Sequence, residues 1–312
     1  MITKSHPRRG SQTTDASYRT GSNSLRVVIL CSVLFLSGVG ALIFETLWLR
    51  LSGLAFGNSI WAAALILSSF MTGLALGNAL GASSKIRRWR PLYLYALLEV
   101  IVAVLGCTIV FGLPALGEWL RLIWQMLWNF QPILLGLRFV VSFLILLLPT
   151  TAMGLTLPVL IDDPLLQQTD FRRAIGFLYG SNTLGAMVGA VLGEAFLIRA
   201  FGLYGTSLVA ASAVCIAAAI ALLVAKSKAV SRPPQGRTAS DSSFSFPLHF
   251  DASYRPPWRL LFVSFGTGLI FLALEVIWFR FLRLYVVSSP TAFAVMLAVV
   301  LAGIGFGGLL AG

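Results

Sequence analysis

Glu45, Glu99, Glu194 and Glu275 each lie inside a run of hydrophobic residues. A charge at the centre of a membrane-spanning helix costs roughly 2.5–3.5 kcal/mol on insertion scales, so such residues normally face the protein interior and pair. Three of the four are followed five residues later by arginine, as Glu45/Arg50, Glu194/Arg199 and Glu275/Arg280. Five residues advance an α-helix by about 140° beyond one full turn, so these sequence neighbours do not share a face. Partners must then come from other helices, and the expected pairs are Glu45 with Arg280 and Glu275 with Arg50. With Trp48, Trp278 and Asn182, the residues Glu45, Arg50, Glu194, Arg199, Glu275 and Arg280 make up a candidate intramembrane polar site. Two chemistries suit it: a substrate or proton site, or ion pairs that lock helices together.

A second candidate is the stretch Pro149-Thr150-Thr151-Ala152-Met153-Gly154-Leu155-Thr156-Leu157-Pro158. Two prolines remove backbone donors and are expected to break or kink a helix, while neighbouring threonines can satisfy the freed carbonyls. Pro149, Thr150, Gly154 and Pro158 thus mark a moving or ligand-lining segment. The ladders Gly73/Gly77/Gly81 and Gly185/Gly189/Gly193 have the small-x-x-x-small spacing that lets helix backbones approach closely. No catalytic constellation is visible. His6 and His249 fall outside the apolar runs, the three cysteines have no metal-ligand spacing, and no residue set suggests a cofactor pocket or a metal site.

The elements that must position these residues follow from composition. Of 312 residues, 58% are hydrophobic and 11% charged, against roughly a quarter charged in soluble domains. The net charge of +12 would ordinarily raise nucleic-acid binding, but the basic residues sit in short loops between apolar runs, so the bilayer is the expected partner. The first apolar run covers 26–49, and others cover about 59–81, 92–113, 138–160, 174–198, 203–225, 259–282 and 289–312. Each approaches the ~20 residues needed to cross ~30 Å of hydrocarbon. Seventeen of the 23 lysines and arginines fall on one side when the N-terminus is placed inside, which predicts a multi-pass inner-membrane protein with a cytoplasmic N-terminus. Residues 1–25 read as a disordered basic tail, and 226–257 as a cytoplasmic linker rich in Ser, Pro and Arg. Residues 115–135, with Trp119, Trp124 and Trp128, read as an interfacial helix.

The chain repeats itself at an offset of 230 without a gap. Ser37-Gly38 through Glu45, Trp48 and Arg50 match Thr267-Gly268 through Glu275, Trp278 and Arg280, and the register carries Gly73 onto Gly303 and Gly77 onto Gly307. A six-helix unit has both copies starting on the same side, which predicts parallel repeats about an axis along the membrane normal. The expected architecture is an all-α, polytopic, major-facilitator-like 6+6 bundle. Residues 26–225 form the first repeat and 258–312 begin the second, and the sequence reads as cut short after about eight transmembrane helices.

Four stretches carry a family resemblance. They are Ser37-Gly38 through Arg50, Phe70-Met71-x-Gly73-Leu74-Ala75-Leu76-Gly77, Pro149-Thr150 through Pro158, and Leu178-Tyr179 through Asn182-Thr183, Gly185 and Gly189. Together they resemble the membrane domain of bacterial spermidine synthase-like proteins, in which a major-facilitator-like bundle is fused to an aminopropyltransferase-type domain. The resemblance implies a membrane portion associated with polyamine biosynthesis, with a soluble spermidine synthase-like domain as partner in cis or in trans. That domain would bind decarboxylated S-adenosylmethionine and use carboxylates to activate a diamine; none of those residues lies in these 312. The chain departs from the family at Glu194 and Arg199, where a small residue and a proline are expected. Its basic loop 85–90 also lacks the acidic residue of the major-facilitator loop signature. A transporter of a small solute and a structural membrane scaffold are the alternative readings.

Overall fold

A computed structural model describes residues 11–56, 60–83, 86–119, 125, 130–163, 166, 171–230, 258–286 and 289–311, and among these every regular element is helical. The helices are α1 (Ser11–Phe56), α2 (Ile60–Gly81), α3 (Pro91–Trp119), α4 (Gln131–Ile161), α5 (Phe171–Leu192), α6 (Ile198–Val230), α7 (Trp258–Leu282) and α8 (Ser289–Ala311). A π-helical turn, Gly193–Leu197, joins α5 to α6, and a short 3₁₀ turn, Ile86–Arg88, precedes α3. Helices satisfy every backbone polar group within the segment, which is what apolar surroundings demand.

Among the described residues, seven stretches are long and apolar enough to cross a membrane. The longest, Arg173–Ser227, has 55 residues and would extend roughly 80 Å as one straight helix, far beyond the ~30 Å of hydrocarbon. It holds two oppositely directed helices. α5 runs parallel to α1, with Gly185 against the Phe35 carbonyl and Gly189 against the Val39 carbonyl. α6 runs antiparallel to α3, with Cys107 against Ser207 and Phe111 stacked on Tyr204. The chain reverses between them through the π-turn and Gly202, whose φ of 66° is open to glycine and strained for other residues.

The core lies where α1 meets α3, α5 and α6, around Phe44, Leu47, Trp48 and Tyr95. α2 packs along α4 in a regular register: a Cβ on Gly73 would strike Thr150, one on Gly77 would strike Thr151 and Gly154, and one on Gly81 would strike Pro158. The glycine ladder is therefore the contact surface itself. α8 lies antiparallel against α5, with Gly305 on Leu184 and Gly180 on Leu309. α7 is the outlier. It touches α2 and α8 only lightly, and most of its large apolar side chains are exposed.

Two sequence expectations meet a different outcome, and two more fall partly on residues outside those described. α4 is continuous through both Pro149 and Pro158, so the expected break at 149–158 is absent. Beside the carbonyls of Ile145 and Gly154, which lose their proline donors, hydroxyls add hydrogen bonds in the same turns: Thr150 donates to the Leu146 carbonyl (2.8 Å), Thr151 to Leu147 (2.6 Å) and Thr156 to Met153 (2.7 Å). The backbone of α1 begins at Ser11, within the segment read as a tail. Of the expected interfacial helix over 115–135, residues 120–124 and 126–129 lie outside the described residues, while 115–119 end α3 and 131–135 begin α4. The linker over 226–257 also lies largely outside them, beyond the end of α6 at Val230.

Candidate intramembrane polar site

Four helices and the π-turn bring acidic and hydroxyl side chains into the bundle. α1 supplies Ser37, Glu45, Trp48 and Arg50, spaced so that the first three lie on buried faces while Arg50 reaches the helix end. The ion pair at that end is not the expected one. Arg50 engages Glu194 through two hydrogen bonds, Nε to Oε2 at 3.1 Å and Nη2 to Oε1 at 2.6 Å. This fork-to-carboxylate geometry is the strong form of an arginine pair. The Thr291 hydroxyl of α8 donates to the same Oε1 at 3.0 Å. Glu194 is 4% exposed and sits in the π-turn, whose extra residue per turn aims its side chain at α1 instead of along α5. The pairing of Arg50 with Glu275 is thereby corrected: the nearest carboxylate to Arg50 comes from the α5 end, because α5 packs along α1 and α7 does not. Arg199, five residues past Glu194, is exposed and does not join the pair, as the helical spacing requires.

Glu45 is 2% exposed one turn below Trp48. No ion pair joins it to Arg280; the charged group that acts on it is Glu275 of α7, a like charge. Arg280 and Trp278 are both exposed. Among the described residues the sequence-matched arginines thus differ, Arg50 being paired and Arg280 not.

A third cluster lies deeper. The Ser37 hydroxyl donates to Glu99 Oε1 at 2.6 Å, joining α1 to α3 with both groups buried. The Tyr95 hydroxyl stands beside the same carboxylate one turn away, buried and short of hydrogen-bond geometry. A carboxylate out of water needs a cation, a proton or several donors to offset lost hydration, and Glu99 has one serine in place. Ser37, Tyr95 and Thr291 were not picked out by sequence reasoning. Ser37 had a signal: it opens the repeated motif, and its matched residue Thr267 keeps the hydroxyl.

The Trp48 indole is 1% exposed, and its Nε1–H has no hydrogen-bond partner. It lines a small cavity between α1, α3 and α4, with room for about a water molecule, together with Ser52 and Ser142. Asn182 contributes backbone: its carbonyl lies where a Cβ on Gly38 would fall, which fixes the α1–α5 approach. Among the described residues no three metal-ligating side chains converge. The arrangement ties α1, the α5 end and α8 together through Glu194, and α1 to α3 through Ser37 and Glu99.

No family model matches the chain, and no solved structure does. A curated protein, polyamine aminopropyltransferase 1 of Streptomyces coelicolor, is 26% identical over 180 residues, covering 57% of this chain. The match spans 30% of that protein's length.

Proposed function

We propose that this chain is the membrane-embedded portion of a spermidine synthase-like system, holding aminopropyl-transfer chemistry at the cell inner membrane. The sequence similarity to a polyamine aminopropyltransferase carries the reading. Seven apolar stretches and a bundle held by glycine contacts support its membrane half. In this proposal catalysis, with decarboxylated S-adenosylmethionine as donor, belongs to a soluble domain acting in cis or in trans. The chain contributes the anchor. Its N-terminus is cytoplasmic, and its two sequence-matched segments descend from a duplicated six-helix unit.

A recruitment experiment tests the reading. The full chain is co-expressed with a soluble aminopropyltransferase of the same cell, and membranes are assayed for spermidine formed from putrescine. Activity that sediments with the chain and is lost without it is the expected result. Activity that stays soluble in both cases counts against it.

A transporter reading is favoured by one observation, the burial of Glu45 and Glu99 inside the bundle. It requires polyamine uptake by proteoliposomes that is abolished in Glu45→Gln.

A further inference from the structure

Resting neither on the polyamine reading nor on the duplication, we propose that Trp48, Ser52 and Ser142 form a binding site for one buried water molecule, which bridges α1 to α4.

The site draws one face from each of three helices. Trp48 and Ser52 lie four residues apart on α1, Ile109 and Leu113 on α3, and Ser142 and Leu146 on α4, so each pair stacks one turn above the other toward a common cavity. The Trp48 indole is fixed there: it is 1% exposed and stacks on Phe44, with ring centroids 5.9 Å apart and planes 19° from parallel. Among the described residues its Nε1–H has no hydrogen-bond partner. Backbone carbonyls nearby are used within their own helices, and the α3 wall is apolar, so a partner for this donor has to be a guest.

The two serines supply the rest of the guest's bonding. Hydroxyls elsewhere in the bundle fold back on their own helix, as Ser69 does to the Leu65 carbonyl at 2.6 Å and Thr183 to the Tyr179 carbonyl at 2.9 Å. Ser52 and Ser142 form no such bond among the described residues, and neither meets Nε1 in hydrogen-bond geometry. A water between them accepts the indole N–H and one serine O–H and donates to the other serine oxygen. That gives it about three polar partners, the usual number for a buried water, in a cavity with room for about one. The end of a lipid chain is the poorer occupant, because it would leave a wholly buried indole N–H unpaired. The bridge has a place in the packing. α4 lies along α2 and α3 and touches α1 only lightly, so the water supplies a polar link where direct contact is thin.

The test is magnetic resonance on the full chain, ¹⁵N-labelled at indole nitrogens, in lipid nanodiscs. The Trp48 Nε1–H signal is assigned by its loss in Trp48→Phe and, without relying on that variant, by its contacts with the Phe44 ring. The expected result is a cross-relaxation peak from this proton to a long-lived water. It should weaken in Ser142→Ala, vanish in the double variant Ser52→Ala/Ser142→Ala, and persist in Ser212→Ala, an exposed serine bonded to its own helix at Leu208. Each serine change removes one atom, so the helices framing the cavity stay packed. A peak to acyl-chain protons in place of water would overturn the proposal in favour of lipid. No peak to either would overturn it too, in favour of a direct indole–hydroxyl bond if a single serine variant moves the indole proton and of a dry cavity if neither does. A water peak unchanged in Ser142→Ala would overturn the bridge to α4.

Discussion

Arg50 and Arg280 occupy matched positions in two stretches of like sequence, yet among the described residues only Arg50 meets a buried carboxylate. Removing one member of a buried, hydrogen-bonded charge pair leaves the other desolvated and unpaired. Arg50 is about a third exposed, so the loss is smaller than for a fully buried pair. Arg50→Ala should therefore destabilise the chain by about 2 kcal/mol, while Arg280→Ala should stay within about 0.5 kcal/mol, as read by reversible unfolding in detergent. Equal effects would mean the Arg50–Glu194 pair contributes nothing. Ser37→Ala removes a donor to Glu99 and should cost about 1–3 kcal/mol, and Glu99→Gln, which tolerates burial without charge, should offset most of that cost. A Ser37→Ala cost that persists undiminished in the Glu99→Gln background would show that the hydroxyl acts on something else. At this scale the sequence was half legible. The rarity of charge in apolar runs singled out Glu45, Glu194 and Arg50, but their partners depend on which helices are neighbours, and spacing along one helix cannot say. Glu45→Arg280 and Arg50→Glu275 were drawn from symmetry, whereas packing gave Arg50 to Glu194 and left Glu45 beside Glu275.

Helix against helix, glycine separates filled contacts from open ones. Gly73 and Gly77 of α2 stand against α4, and their matched positions Gly303 and Gly307 on α8 have nothing within 4 Å of a Cβ. Gly77→Leu should overpack the α2–α4 contact and cost about 2 kcal/mol or more, whereas Gly307→Leu should be nearly neutral in the same unfolding measurement. A comparable cost at both would contradict the open face of α8. The ladder spacing announced these contacts because close backbone approach needs small residues at every fourth position. The continuity of α4 was hidden, since prolines at 149 and 158 ordinarily signal a break, whereas the Thr150 and Thr151 hydroxyls add hydrogen bonds to the Leu146 and Leu147 carbonyls in the turn before them. Thr150→Val and Thr151→Val together should loosen α4, seen as faster amide exchange at 145–151 than in the parent chain. Unchanged exchange there would show that the hydroxyls do not hold the helix through Pro149.

For the molecule as a whole, apolar length carried most of the architecture. Runs of about 20 residues fall on the helices because the bilayer sets one thickness for all of them. The sequence already parts 174–198 from 203–225, but the device of the reversal, the π-turn and the positive φ of Gly202, needed the structure. Function was legible to the extent that motif order suggested a spermidine synthase-like membrane domain; the similarity to a polyamine aminopropyltransferase gives that reading its coarse support. The anchor account makes a demand on the living cell. Membranes from cells lacking this chain should lose aminopropyltransferase activity, measured as spermidine formed from putrescine and decarboxylated S-adenosylmethionine. Re-expression of the chain should restore it, and Glu45→Gln should restore it equally, since an anchor needs no proton or cation movement at Glu45. Full membrane activity without the chain would contradict the account.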